Sequence, residues 1–428
     1  MKKTMIRSSL SLAVTLASTQ LFASGFALNE QSISGMGTGF AGRSSSADDA
    51  STVYGNPAGM SRLKRQQVTV GVAAIDAKTD ISDASGSRTG TNKGDMVPFT
   101  AVPMGFYVNP VDDHWAFGLG VYAPYGLITD YESSFQGQNF GSKSIVKVVT
   151  FQPTVSYAFN DKVSIGFGPT INRISGALES TLNTPIPGTG NGRVQVKGDD
   201  VGYGFNVGLL VQATDTTSLG LTYHSKVTYK LDGHTEVRAG AGNPPTLLRS
   251  ARYDAKLDLD LPESVDFSAT QKLTDDWKLY AGATWTRWSR LQDITVQNSG
   301  VTAAAGGALS PALVGTITEE QNWHDTWAYA IGTSYQLNKQ WVLRTGLTFD
   351  QSPTNNTDRS PRIPTGDRTI FSIGAGYSPT DDITIDVAYS YLDEETVKVN
   401  RSNALGQRYS SKYDNSANGF GLGLTYRF

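Results

Sequence analysis

The side chains that carry out covalent or metal chemistry are thinly spread in this sequence. Its four histidines, His114, His224, His234 and His324, are scattered, and there is no cysteine, so thiolate metal sites and disulfides are excluded. No Gly-x-Ser-x-Gly, His-Glu-x-x-His or phosphate-cradling glycine loop occurs. That removes the common arrangements for acyl transfer, zinc hydrolysis and nucleotide use. The residues therefore point to a protein that is not an enzyme and needs no cofactor or metal. What remains is the chemistry of binding. Tyr125-Gly126-Leu127-Ile128, Tyr131, Phe135 and Phe140 gather apolar and aromatic groups in a stretch that otherwise reads as loop. Tyr125, Leu127 and Phe135 are candidates for a groove that captures an apolar ligand. Packing of the loop on itself is the other reading of the same composition.

The elements around that stretch are strands. At the C-terminus Phe420, Leu422, Leu424, Tyr426 and Phe428 alternate with Gly419, Gly421, Gly423, Thr425 and Arg427. Successive side chains of a strand point to opposite faces, so this is one apolar wall and one small or polar wall. The pattern recurs at Trp115 to Val121, Phe205 to Val211, Trp277 to Trp285, Trp327 to Leu337, Trp341 to Phe349, Phe371 to Tyr377 and Ile383 to Tyr391. Six short turns, at 109–113, 160–161, 214–217, 274–276, 338–339 and 379–382, alternate with seven long connections, at 80–95, 124–144, 176–200, 232–252, 293–315, 351–367 and 393–409. This implies about fourteen antiparallel strands with both ends of the chain on one side, and an all-β transmembrane barrel as the fold class. A soluble sandwich or propeller would not need short turns on one side and long loops on the other. Trp115, Trp277 and Trp341 each follow a short turn, where an interfacial aromatic girdle belongs. Hydrophobic content of only 39% fits, because a barrel wall hides its apolar residues in alternation.

The first residues do not alternate. Lys2, Lys3 and Arg7 precede an apolar stretch from Leu10 to Ala17, with small residues around Ala23. Residues 1–23 read as a secretory signal peptide, too short in its apolar core to span a bilayer. Residues 24–65 are rich in Gly and Ser and hold short helical candidates, one at Ala47 to Val53 and one at Asn56-Pro57-Ala58-Gly59, where Asn56 can cap and Pro57 suits the first helical position. Irregular backbone cannot lie in lipid, but a barrel of this size leaves a lumen that side chains alone would not fill. The segment is thus expected as a hatch of short helices inside the barrel of residues 66–428; a disordered periplasmic tail is the alternative. Losing Lys2, Lys3 and Arg7 takes the formal charge from -3 to -6, which argues against nucleic acid as a partner.

Several segments resemble the long-chain fatty-acid transporter family of outer-membrane proteins, FadL. They are Gly25-Phe26-Ala27-Leu28-Asn29-Glu30, Ala47-Asp48-Asp49-Ala50, Asn56-Pro57-Ala58, Tyr223-His224-Ser225, Leu261-Pro262-Glu263-Ser264 and the run from Trp341 through Phe349-Asp350-Gln351-Ser352-Pro353 to Asp367-Arg368. In order, they cover nearly the whole mature chain. The resemblance implies a bacterial outer-membrane location and passive transport of long-chain fatty acids or related hydrophobic compounds. It implies capture at extracellular loops, a buried apolar site and lateral exit beside a kinked third strand. Here that strand would be Trp115 to Tyr125, where Gly118, Gly120 and Pro124 can interrupt a ladder. Family members often carry a Lys before an Asp-Thr-Trp-like run, to meet a carboxylate; here His324 stands before Asp325-Thr326-Trp327 in its place, and Arg173 lies on the strand where the resemblance implies a basic pocket residue. The hatch residues Asn56, Pro57 and Ala58 would be the gate. Partners implied are a fatty acid or other hydrophobic small molecule, outer-membrane lipid and lipopolysaccharide, with the protein a monomer. An aromatic-hydrocarbon channel of the same family and a general aqueous porin are the competing readings. An outer-membrane enzyme would need a nucleophile and base that the sequence does not bring together.

Overall fold

The computed structural model describes residues 25–182, 190–403 and 405–428; the leader at 1–23 lies outside them. Twenty strands follow one another as β1 (Gln67–Gly86), β2 (Thr100–Pro110), β3 (Trp115–Tyr122), β4 (Gly126–Asp130), β5 (Lys143–Ala158), β6 (Val163–Leu182), β7 (Gly192–Gln212), β8 (Thr217–His224), β9 (Val227–Arg238) and β10 (Ala251–Leu261), then β11 (Ser264–Lys272), β12 (Trp277–Thr286), β13 (Asp293–Asn298), β14 (Thr316–Glu320), β15 (Thr326–Gln336), β16 (Trp341–Asp350), β17 (Arg368–Tyr377), β18 (Ile383–Glu394), β19 (Val397–Ser402) and β20 (Arg408–Arg427).

Fourteen of them, β1, β2, β3, β5 to β8, β11, β12, β15 to β18 and β20, pair antiparallel around a closed ring, with β20 joined to both β18 and β1. Closure leaves the wall no free edge, which lipid would make very costly. Burial alternates as the sequence requires: β3 exposes Trp115, Phe117, Leu119 and Val121 and buries the residues between them. The six short turns join β2 to β3, β5 to β6, β7 to β8, β11 to β12, β15 to β16 and β17 to β18. Arg65 reaches from the end of the hatch to the main chain of Arg427 and Phe428, so both ends of the barrel strands meet there.

The long connections are less irregular than the turn chemistry suggests. β6 and β7 continue as one hairpin above the wall, and β9, β10, β13 and β14 add further pairs to it. The connection at 351–367 has no strand, yet Ser352, Thr354, Arg359, Arg362 and Ile363 are buried within it. It folds inward and roofs the barrel. Tyr131 donates to the Pro361 carbonyl at 2.7 Å and Asn415 to that of Pro364 at 2.8 Å, which ties this roof to the loop after β4 and to β20.

Residues 25–65 fill the lumen. Short helices at Ile33–Gly37 and Thr52–Gly55 and a 3-10 turn at Pro57–Arg62 are largely buried. The second helix begins at Thr52, within the Ala47 to Val53 window, because residues 47–50 bend and turn before it. Asn56 caps the 3-10 turn through its side-chain oxygen and the Ala58 amide, as its position before Pro57 requires. Its amide nitrogen donates to the carbonyls of Ser44, at 2.6 Å, and Leu209, at 3.0 Å. Wall glycines leave room for this segment. A Cβ on Gly220 would stand 1.8 Å from the Ser44 carbonyl oxygen, and one on Gly346 would stand 2.1 Å from that of Thr38.

Candidate functional site

The inward faces of β4 to β7, β9 and β10 carry Leu127, Val146, Ile174, Val196, Leu231 and Leu257, and these converge beneath the roof on a cavity of about 830 Å³. Leu291, Ile294 and Ile363 from the loops complete it, and Phe26 of the hatch closes one side. Such a space, lined almost wholly by hydrocarbon, suits a greasy ligand and offers little to a solvated one. Below it, Phe26 and Tyr125 pack with Trp288 and Trp323, ring centroids 5.0 to 6.1 Å apart, as an aromatic constriction. Trp288 sits on a 3-10 turn, Trp288–Arg290, clamped by Glu263: Arg287 and Arg290 reach the Glu263 carboxylate at 3.2 and 2.8 Å. The guanidinium of Arg290 holds the Glu263 carboxyl down to about 2.

Beneath the constriction the lining changes character. Three cavities of about 630, 530 and 510 Å³ share Asn29 and Arg43. Their walls bring in Asn172, Asn206 and His224, then Asp266 and Thr348, then Asp48 and Asp49. Arg43 donates to the Asn29 side-chain oxygen at 2.7 Å. Asp48 is partly exposed and 3.9 Å from Lys278, which opens the series toward the end with the short turns. This axial route mixes polar groups with apolar ones such as Phe40, Ala328 and Ala330, whereas the chamber above is almost wholly apolar.

Beside the constriction the ladder between β2 and β3 is cut short. β2 and β3 pair from Pro110 with Ala116 to Gly105 with Val121, and there the ladder stops. Thr100 to Met104 continue to pair with β1 alone. On the other side of the gap, residues 124–126 bond to the first residues of the hatch instead of to β2: Leu28 donates to the Pro124 carbonyl at 2.8 Å, and Gly126 to that of Phe26 at 3.0 Å. Gln31 adds a bond of 2.5 Å to the Ala123 carbonyl. Leu28, Val102, Met104 and Ala123 are buried in one apolar cluster here.

The structure brings together only part of the residue set read from the sequence. Leu127 lines the apolar cavity, and Tyr125 stands in the constriction with its hydroxyl on the Pro262 carbonyl, 3.0 Å away. Pro124 lies at the gap. Phe135 is fully buried but stacks on Tyr131 at 3.8 Å and packs with Tyr409 and Tyr413 in the roof, so the loop packs on itself at that point and Phe135 borders none of the described cavities. His324 is exposed and borders none of them either; its neighbour Trp323 turns inward. Arg173 lies on the face of β6 opposite Asn172 and Ile174 and pairs with Asp199 at 3.3 Å. Gly118 and Gly120 do not interrupt the ladder, since they pair with Val108 and Phe106. They face the hatch instead, where a Cβ would stand 2.5 Å from the Met60 sulfur and 3.1 Å from Val53. Asn56, Pro57 and Ala58 form the most firmly held part of the hatch, with Ser156 and Ser164 both donating to the Ala58 carbonyl. Sequence reasoning missed Phe26, Trp288, Trp323, Arg362 and Ile363 as site residues. The one signal for the four apolar ones was a large apolar side chain in a stretch that does not alternate as a strand, and Arg362 gave none.

A closed fourteen-stranded barrel with an aromatic girdle, an apolar chamber under its roof and a hatch from its own leading segment defines an outer-membrane transport protein. The comparison with known proteins gives the family. The family model described as "Outer membrane protein transport protein (OMPP1/FadL/TodX)" matches residues 14–428, and the chain belongs to that family. It is 29% identical to the "Long-chain fatty acid transport protein" of Escherichia coli O6:H1, across 99% of this chain and 98% of that one. It is 27% identical to "Outer membrane protein P1" of Haemophilus influenzae, across 99% of both chains. Among solved structures, a Pseudomonas aeruginosa FadL homologue superposes with a TM-score of 0.85 at 28% identity, covering 95% of this chain and 100% of its own. The P. putida toluene transporter TodX shares the fold, with a TM-score of 0.72 at 20% identity over 96% of this chain and 99% of its own. The protein is an outer-membrane transporter of hydrophobic compounds and not an enzyme.

Proposed function

We propose that the transported compounds are long-chain fatty acids, taken into the apolar chamber from outside, passed across the aromatic constriction and released sideways through the gap between β2 and residues 123–126. The chamber supports this reading, because each methylene buried there contributes about 0.8 kcal/mol. The name carried by the Escherichia coli relative supports it too, at higher identity than the toluene transporter. The observation that carries the side exit is the contrast at the constriction. Ahead along the axis lie Asn29, Arg43 and Asp266, polar groups that an entering tail would strip of partners, set among Phe40, Ala328 and Ala330. To the side lie Leu28, Val102, Met104 and Ala123.

The moving part in this mechanism is the leading stretch of the hatch, residues 26–31. The segment at Asn56, Pro57 and Ala58 serves as the anchor on which it turns, because the wall holds that segment by several hydrogen bonds and leaves it no space. Detaching Phe26 to Leu28 from residues 124–126 would open constriction and gap together. The protein works as a monomer in this reading, with its outer rim among lipopolysaccharide.

A reversible lock tests the mechanism. Ala27 and Tyr125 face each other as an antiparallel bridge between flanking hydrogen bonds, the pairing that brings side chains closest. The chain has no other cysteine. Ala27→Cys/Tyr125→Cys should block uptake of radiolabelled oleate when oxidised and restore it on reduction, with toluene uptake measured alongside to separate the two substrate classes. Equal oleate uptake in both redox states would eliminate the side exit.

A further inference from the structure

The apolar chamber has a second neighbour, an outer vestibule of about 1360 Å³ that opens among the extracellular loops and is bordered by Glu319, Glu320 and Arg401. Arg362 borders both spaces. Three cations touch the chamber, but Lys197 and Lys256 are exposed, where solvent and salt weaken any preference they express. Arg362 differs. Its side chain is only 7% exposed, and it is fixed from several sides: to Ser144 at 2.9 Å, to Ser180 at 3.1 Å and to the Lys143 carbonyl at 3.0 Å. Its Nε donates to the Glu319 carboxylate at 2.9 Å.

We propose that Arg362 reads the anionic head of the amphiphile whose tail fills the chamber, with Glu319 as the resident counter-ion that the head displaces. This rests on the fatty-acid reading above and goes beyond it by naming the residue that separates an acid from its uncharged analogues. A guanidinium held by uncharged groups keeps its place when one carboxylate is exchanged for another, and a charge-assisted contact in a desolvated site is strong. The arrangement is also oriented. A molecule with its head at Arg362 has its tail toward Ile174 and Phe26 and its polar end toward the vestibule, so the tail is the end that meets the constriction.

The test uses the full-length protein in detergent, with palmitate and methyl palmitate as probes and the fluorescence of Trp288 and Trp323 as readout. Arg362→Gln should weaken palmitate binding by about 30-fold, the size expected when one partner of a buried charge pair is removed, and leave the ester unchanged. Glu319→Gln removes the competitor while Ser144 and Ser180 still hold the guanidinium, so it should tighten palmitate several-fold (about 3 to 10, as for loss of a like charge nearby) and again spare the ester. Loss of acid and ester binding in parallel in Arg362→Gln would make the residue a structural pin and overturn the assignment. No gain in Glu319→Gln would overturn it as well, and that variant remains informative should Arg362→Gln fold poorly. Wild-type protein that binds acid and ester equally defeats the head-group assignment alone; wild-type protein that binds neither defeats the fatty-acid reading from which it starts.

Discussion

The chamber under the roof and the lumen around the hatch are lined by the same strands yet offer opposite surroundings. β6 gives Ile174 to the chamber and Asn172, two residues away on the same face, to the lumen; β7 gives Val196 to one and Asn206 to the other. The upper region binds, because hydrocarbon there has no competing solvent. The lower region seals, because its polar groups are spent on the hatch, through bonds such as Gln152 to the Val53 carbonyl at 2.8 Å and Thr222 to that of Gly55 at 2.8 Å. The hatch both hydrogen-bonds to the wall and packs Ile33, Met36, Val53 and Met60 against it, so the axial direction is filled, while Leu28, Val102, Met104 and Ala123 border the side gap.

The contrast can be broken most forcefully from above. Ile174→Asp places a carboxylate among the hydrocarbon side chains of the chamber, and fatty-acid affinity should fall about 100-fold or more, while ion conductance in planar bilayers stays at its wild-type level. Parallel loss of both would show that the two regions are one unit. A smaller effect is expected from below. Asn56→Ala removes the bonds to Ser44, Leu209 and Ala58, taking a partner from the buried Ser44 carbonyl and from the Ala58 N–H at a cost of about 1 to 3 kcal/mol. The melting temperature should drop and ion leakage should rise, with chamber affinity unchanged. The least effect sharpens the boundary between the regions. Glu263 titrates at about 2 against an ordinary 4.5, so its hold on the Trp288 turn is complete above about pH 4.5 and is lost as the pH falls toward 2. The fluorescence of Trp288 should change over that window in the wild type and lose the transition in Glu263→Gln. A transition that persists in the variant would assign the change to another group.

The landmark Leu261-Pro262-Glu263-Ser264 shows how far sequence reading went. As a string it marked the family; only in three dimensions does Glu263 become the clamp for Trp288, twenty-five residues later. Tyr125 and Leu127 were found because aromatic and apolar residues in a loop call for cover. Phe135 met the same criterion and found its cover in the roof. His324 and Trp323 are adjacent, and which of them turns inward is settled by the path of the loop, which composition does not encode.

The strand count, the outward apolar stripe, the short turns on one side and an irregular leading segment too long to leave in lipid were fixed by local rules: period-two alternation, turn chemistry and the need to satisfy every backbone group in hydrocarbon. Those rules act between residues close in the chain or on one strand, so the sequence alone carries them. The chamber, the constriction and the gap were decided by tertiary structure. They are assembled from residues as far apart as Phe26 and Ile363, and whether an inward side chain meets hydrocarbon, a carbonyl of the hatch or nothing at all depends on what the closed sheet places opposite it.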